Sequence, residues 1–193
     1  MMSLITTGVT LGESTGKLIV LNLSGYRKAR IWLGELPELN YPIVNVLSRT
    51  KDAKKVDISE VRRTAIEMLI PTGGCFIYGL LKAEFTPTNL GEFSIKVATS
   101  ANTGNPVDWS LAASVDEVCT GIPLEYSESV IEGALSAGDI LGSGILCFEG
   151  GAHGAVGSSK RIFRHLATTA VKILVCRFES ISEEDLTDIV AGF

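Results

Sequence analysis

Gly121-Ile122-Pro123-Leu124-Glu125-Tyr126 opens the stretch that decides the fold, which continues through Ile145-Leu146-Cys147-Phe148 and Gly154-Ala155-Val156-Gly157-Ser158-Ser159-Lys160 to Val175. A Pro is tolerated in the first turn of a helix, whose N–H groups have no intrahelical partner, so a helix starts at Pro123. Val130, Ile131, Ala134 and Leu135 then recur at helical spacing, with Glu125, Glu128 and Glu132 on other faces. That is an amphipathic helix docked on a sheet. Gly138, Gly142 and Gly144 end it, and Ile145 to Phe148 reads as a buried strand. The glycine-rich run from Gly150 to Gly157 then leads as a loop to Ser158, an N-cap for a second helix carrying Ile162, Phe163, Leu166, Ala167, Ala170 and Val171.

Those residues carry a resemblance. The Pro123-Leu124-Glu125-Tyr126 helix start, then Val130 and Gly133, the Ala137-Gly138 and Leu141-Gly142 turn, the strand and the Ser158-Ser159 helix start resemble the fourth domain of elongation factor G in order and spacing. The family carries acidic residues just before its Ser-Ser pair, where this chain has Ala155 and Gly157. The resemblance implies a ribosomal-protein-like α+β fold: a mostly antiparallel sheet, helices on one face and a left-handed β-α-β crossover. It implies a translation-related fold and places the matching part at about residues 83–178 of a single domain spanning 1–193. N-terminal strands and a helix fill 1–82, and a short helix follows at 182–190.

The rest of the chain is read in order. Leu4 to Thr10 and Lys17 to Leu23 suggest a hairpin, and the intervening Gly12-Glu13-Ser14-Thr15-Gly16-Lys17 lacks the spacing and the following Ser or Thr of a phosphate loop. Ala29 to Gly34 and Ile43 to Leu47 are strands, and Lys51 to Lys55 is a polar loop. Asp57-Ile58-Ser59-Glu60 would cap a helix whose apolar face is Val61, Ala65, Met68 and Leu69, ended by Pro71 and Gly73-Gly74. Cys75 to Leu81 follows as a central strand. This helix, glycine, strand order echoes the one after Gly121, so a weak internal duplication is open alongside chance recurrence. Glu92 to Val97 alternates as a strand, and Val107 to Val118 should return antiparallel. Ile173 to Cys176 would add a strand, and Ser182-Glu183-Glu184-Asp185 would cap a terminal helix.

Composition narrows the function. With 46% hydrophobic and 20% charged residues in 193, the chain is richer in apolar groups than its own surface needs, so a homo-oligomer is expected. A net charge of −5 argues against tight, generic nucleic-acid binding. In the family the loop before the equivalent of Glu92 is a basic tip, whereas Phe85 to Gly91 holds no Lys or Arg; no complete GTPase signature is present either. The chain by itself is therefore not expected to be a translocase. The four cysteines are widely spaced and read as reduced core thiols, and no apolar stretch reaches the length of a membrane span. A cytoplasmic protein off the membrane is expected, without metal or cofactor.

Three constellations carry candidate chemistry. Gly154-Ala155-Val156-Gly157-Ser158-Ser159-Lys160 is similar to the loop by which small-molecule kinases of the same superfold hold phosphates, so a phosphorylated small-molecule ligand is one reading, with Gly154, Gly157, Ser158, Ser159 and Lys160 as its contacts. The other is that Ser158 merely caps the helix and the glycines turn the chain. His153 beside that loop would be a general acid or ligand contact, while His165 reads as a half-buried helix residue. Arg161, Arg164 and Lys172 share a helix and suit RNA or an acidic partner, or are an ordinary solvated face. The leading expectation is a non-catalytic binding or structural protein. The alternative is a phosphate-ligand enzyme using Gly150 to Lys160.

Overall fold

The structure, a computed structural model, describes residues 16–54, 58–101 and 104–192. It is an α+β fold built on one open, eight-stranded sheet. The strands are β1 (Lys17–Asn22), β2 (Lys28–Leu33), β3 (Ile43–Asp52), β4 (Arg62–Thr72), β5 (Cys75–Pro87), β6 (Glu92–Ser100), β7 (Val118–Thr120) and β8 (Gly144–Gly154). The helices are α1 (Leu124–Ala137), α2 (Lys160–Val175) and α3 (Glu183–Val190). The order across the sheet is β1-β2-β4-β5-β8-β6-β3, with β7 beside β8. Of the named pairings only β6 with β8 is parallel, and α1 lies in the connection between them.

Side chains alternate across each strand. Ile66, Met68 and Ile70 on β4, Leu81, Ala83 and Phe85 on β5, and Phe93, Ile95 and Val97 on β6 join the core formed with Val130, Ile131, Ile162, Phe163 and Leu166 of the helices. Tyr126 stacks on Phe163 with ring centroids 4.7 Å apart, tying the start of α1 to α2. Gly133 lets the helices touch, because a Cβ there would run into the Arg164 carbonyl. The opposite sheet face is partly roofed by a second cluster in which Leu39, Val107, Ala112 and Val118 cover Leu69, Tyr78, Leu80 and Ala152.

Several expectations need correcting. The helix expected after Asp57 is strand β4. Its positions 65, 68 and 69 fit helical spacing only because β4 is covered on both faces, which blurs the alternation. Thr72 pairs with Cys75 across Gly73 and Gly74, whose φ values are +54° and +97°. Positive φ at both central residues is the primed turn that joins hairpin strands, so these glycines connect β4 to β5 rather than stop a helix. With that helix goes the order that suggested an internal duplication. The β5 strand itself runs across position 82, so the sheet draws on both sides of that division.

Of the stretch expected to return as a strand, residues 107–117 form turns and connecting chain and only Val118 is in a strand, the start of β7; a bridge from Pro106 to Cys119 joins the two ends. Their apolar side chains are spent roofing the sheet. Ile173 to Val175 prolongs α2 instead of adding a strand: Ile173 and Leu174 continue its buried stripe, and Arg62 Nη1 donates to the carbonyls of Leu174, Val175 and Cys176 at 3.0, 3.1 and 3.0 Å. A guanidinium on the orphan carbonyls ends the helix there. The four cysteines are free, but none is fully buried: Cys75 is exposed and the others are half-buried, with Cys176 packed against the core. Lys51 belongs to β3, and its Nζ contacts the Asp139 carboxylate at 2.6 Å. The strand at Leu4 to Thr10, the loop residues Gly12 to Thr15 and the cap at Asp57 lie outside the described residues.

Candidate functional site

The glycine-rich segment is shorter as a loop than its composition suggests. Gly150, Gly151, Ala152, His153 and Gly154 are the end of β8, and only Ala155 to Ser159 connect it to α2. Small residues suit this end of β8 because it runs between β5 and β7, where Ala152 pairs with both Leu80 and Thr120. His153 therefore lies inside the sheet, 8% exposed, with Nδ1 3.3 Å from the Gly121 carbonyl. A general acid aimed into a loop ligand is not what that placement provides.

The cap is displaced by one residue. Ser159 caps α2, its Oγ accepting from Ile162 N–H, while Ser158 Oγ accepts from Gly154 N–H at 2.9 Å and donates to the Tyr78 carbonyl at 2.8 Å. Ser158 thus fastens the loop to β5, helped by Tyr78 N–H donating to the Gly157 carbonyl at 2.9 Å.

The decisive residue here is Asp116, which the sequence reading did not single out. Its carboxylate accepts from Gly157 N–H at 2.7 Å and from Val156 N–H at 3.3 Å. Ala155 N–H donates to the Glu117 carbonyl at 2.8 Å. The donors that would cradle a phosphate already hold a carboxylate from the roofing segment. A phosphate entering this loop has to displace Asp116 and meet its charge. Lys160, the first residue of α2, is exposed beyond this arrangement.

A second site gathers on α2 itself. Arg161, Arg164, His165, Thr168, Thr169 and Lys172 lie on one face at three- and four-residue spacing and, with Gly192, line a hollow of about 270 Å³. Arg164 is ion-paired with Glu132 of α1. His165 Nε2, carrying the proton, donates to the Val190 carbonyl at 3.2 Å, which fixes the end of α3 against the groove. Burial, followed by the positive charge of Lys172, Arg161 and Arg27, holds the His165 ring below its ordinary pKa. The groove is therefore basic without a charged histidine. The three residues picked from sequence come together here; His165, Thr168 and Thr169 complete the wall.

Among the described residues no group of three or more His, Cys, Asp or Glu is arranged to hold a metal ion. No described helix is long and apolar enough to cross a membrane. No protein-family model matches the chain, and no curated protein matches it.

Proposed function

We propose that the chain is a non-catalytic binding protein, resembling a stand-alone fourth domain of elongation factor G, that holds an acidic polypeptide along the basic groove of α2. The observation that carries this is the convergence of Arg161, Arg164 and Lys172 on one walled hollow whose fourth basic group, His165, is kept neutral by burial. Carboxylates of a partner gain there from cations and from the Thr168 and Thr169 hydroxyls together. An acidic peptide suits it better than RNA. The groove is short, so it could neutralise only a few of the phosphates of an RNA, whereas a peptide need place only a few carboxylates there.

Titration of a labelled Asp/Glu-rich peptide, followed by fluorescence anisotropy, tests the reading. Binding at low salt that is lost in R161A/K172A supports it; equal binding by wild type and variant overturns it. Ribosome co-sedimentation is run in parallel and is expected to show no binding near physiological ionic strength. A ribosome complex that survives such salt and fails in R161A/R164A would replace the peptide reading with a translational one. For the phosphate-ligand alternative, thermal stabilisation by phosphorylated metabolites that vanishes in S159A/K160A is the corresponding result. In the cell we place the protein in the cytoplasm, as a homo-oligomer.

A further inference from the structure

The sheet face away from α1 and α2 carries a cavity that the groove reading does not use. Beyond the roofed part, Gly34, Glu35, Leu36, Arg63, Lys82, Ala83, Glu84, Cys147 and Glu149 line a hollow of about 480 Å³, within the range of small-molecule pockets. Cross-strand pairing builds its floor: Arg63 on β4 faces Glu84 on β5, which faces Cys147 on β8. The β5–β8 register slips between Lys82 and Glu84, so that Glu84 pairs with Cys147 but Lys82 pairs with Gly150. This bulge brings Cys147, Glu149 and Lys82 to one cavity, and such irregularities re-aim side chains next to binding sites. The stem of Lys82 lies where a Cβ on residue 150 would be, so glycine at that position sets its path.

Two charged groups on the floor are already committed, with Arg63 Nε donating to Glu84 Oε2 at 2.6 Å. Among the described residues, Lys82 has no ion pair within 4.0 Å. Burial lowers its pKa against the opposing pull of Glu149, Glu38 and Glu84, which raises the share of free amine, the nucleophilic form of a lysine. The neighbouring thiol does not compete, because burial and then Glu149 push Cys147 up and away from thiolate. The lining carries Arg63 and Lys82 against Glu35, Glu84 and Glu149, an excess of negative charge that disfavours an anionic ligand.

We infer that this cavity captures a small, neutral aldehyde as a reversible imine on Lys82. The amine lone pair forms a bond to the carbonyl carbon while the carbonyl π pair moves to oxygen. Both N–H hydrogens then leave on that oxygen as water, carried by the Glu149 carboxylate, and a C=N bond remains. The step needs no oxidant or reductant and reverses by hydrolysis. It is separate from the α2 groove, on the other side of the sheet, and either reading can fail alone.

The test is reductive trapping of the 193-residue chain with glycolaldehyde and cyanoborohydride at neutral pH, followed by peptide mapping. Lys82 is expected to be labelled several-fold faster than the exposed Lys160 and Lys172. Glyoxylate, which carries the same reactive group with a negative charge, should label it more slowly than glycolaldehyde. E149Q should slow labelling at Lys82 while leaving Lys160 and Lys172 unchanged. K82R, with retained circular dichroism, should lose the label at that position alone. Labelling of Lys82 no faster than that of the exposed lysines, or equal labelling in E149Q, overturns the inference.

Discussion

Glu67 is fully buried on β4, where its Oε1 accepts from Tyr78 OH at 3.0 Å and from Leu111 N–H at 2.7 Å, and its Oε2 from Arg30 at 3.3 Å. It pins the roofing segment to the sheet through Leu111. Desolvation raises its pKa above the ordinary 4.5, and the three hydrogen bonds and the Arg30 charge only partly offset this. The sign follows from linkage: the folded state binds the proton more tightly than the unfolded state. The stabilisation from Glu67 is complete below pH 4.5 and is lost as pH rises through the raised folded value. E67Q keeps an acceptor for Tyr78 and Leu111 but cannot ionise. Melting temperatures measured from acid to neutral pH should therefore fall less steeply in E67Q than in wild type; parallel curves would contradict the assignment. Nothing in the residues around Glu67 betrayed this role, because a single Glu in an apolar run reads equally well as the solvent side of a helix.

Elements were legible where one face is solvated or an end is chemically marked. The helix α1 after Pro123, the strand β6 and the α3 start are all visible that way; Ser182 and Asp185 form a full capping box, with Asp185 donating its N–H to Ser182 Oγ at 3.1 Å. The strand β4 was not, because burial on both faces erases period-two alternation. Its one clear mark was the Gly73-Gly74 pair between two β-rich runs. Within the candidate site, the α2 cations were legible from helical spacing, whereas the end of β8 was hidden by its glycines. Asp116 could not have been found, since it reaches the loop from a segment 41 residues away. That contact gives an element-scale prediction. D116A leaves the part-buried Gly157 N–H without its acceptor, while water reaches the exposed Val156 N–H, at a cost of about 1 kcal/mol. Chemical denaturation should show the loss, and amide exchange should quicken at Gly157 before it does in β5. Inorganic phosphate should restore part of the stability if the emptied loop accepts an anion; no restoration means the loop is a structural clasp alone.

At the scale of the molecule, the sheet is open and its edges are apolar. The outermost strand β3 pairs with β6 alone among the described strands, and along it Ile43, Val44 and Val46 are 55, 62 and 52% exposed. A long edge strand with exposed aliphatic side chains templates pairing with another strand, and native chains usually blunt such edges with charge. Here the charges lie towards the far end, where Arg49 meets Glu128 and Lys51 meets Asp139 of the helix layer. The first half of β3 is left apolar. A second copy related by a two-fold axis through Asn45 would set Val44 against Val46 in both directions, an isologous pairing in which Val46 N–H exchanges its present acceptor, Asn45 Oδ1 at 2.9 Å, for the facing strand. Light scattering after size exclusion should then give twice the 20.6 kDa chain mass. V44K/V46K brings like charges face to face across that axis and should return the monomer with an unchanged circular dichroism spectrum. A wild-type chain that elutes as a monomer, or a double variant that stays dimeric, would remove β3 as the interface.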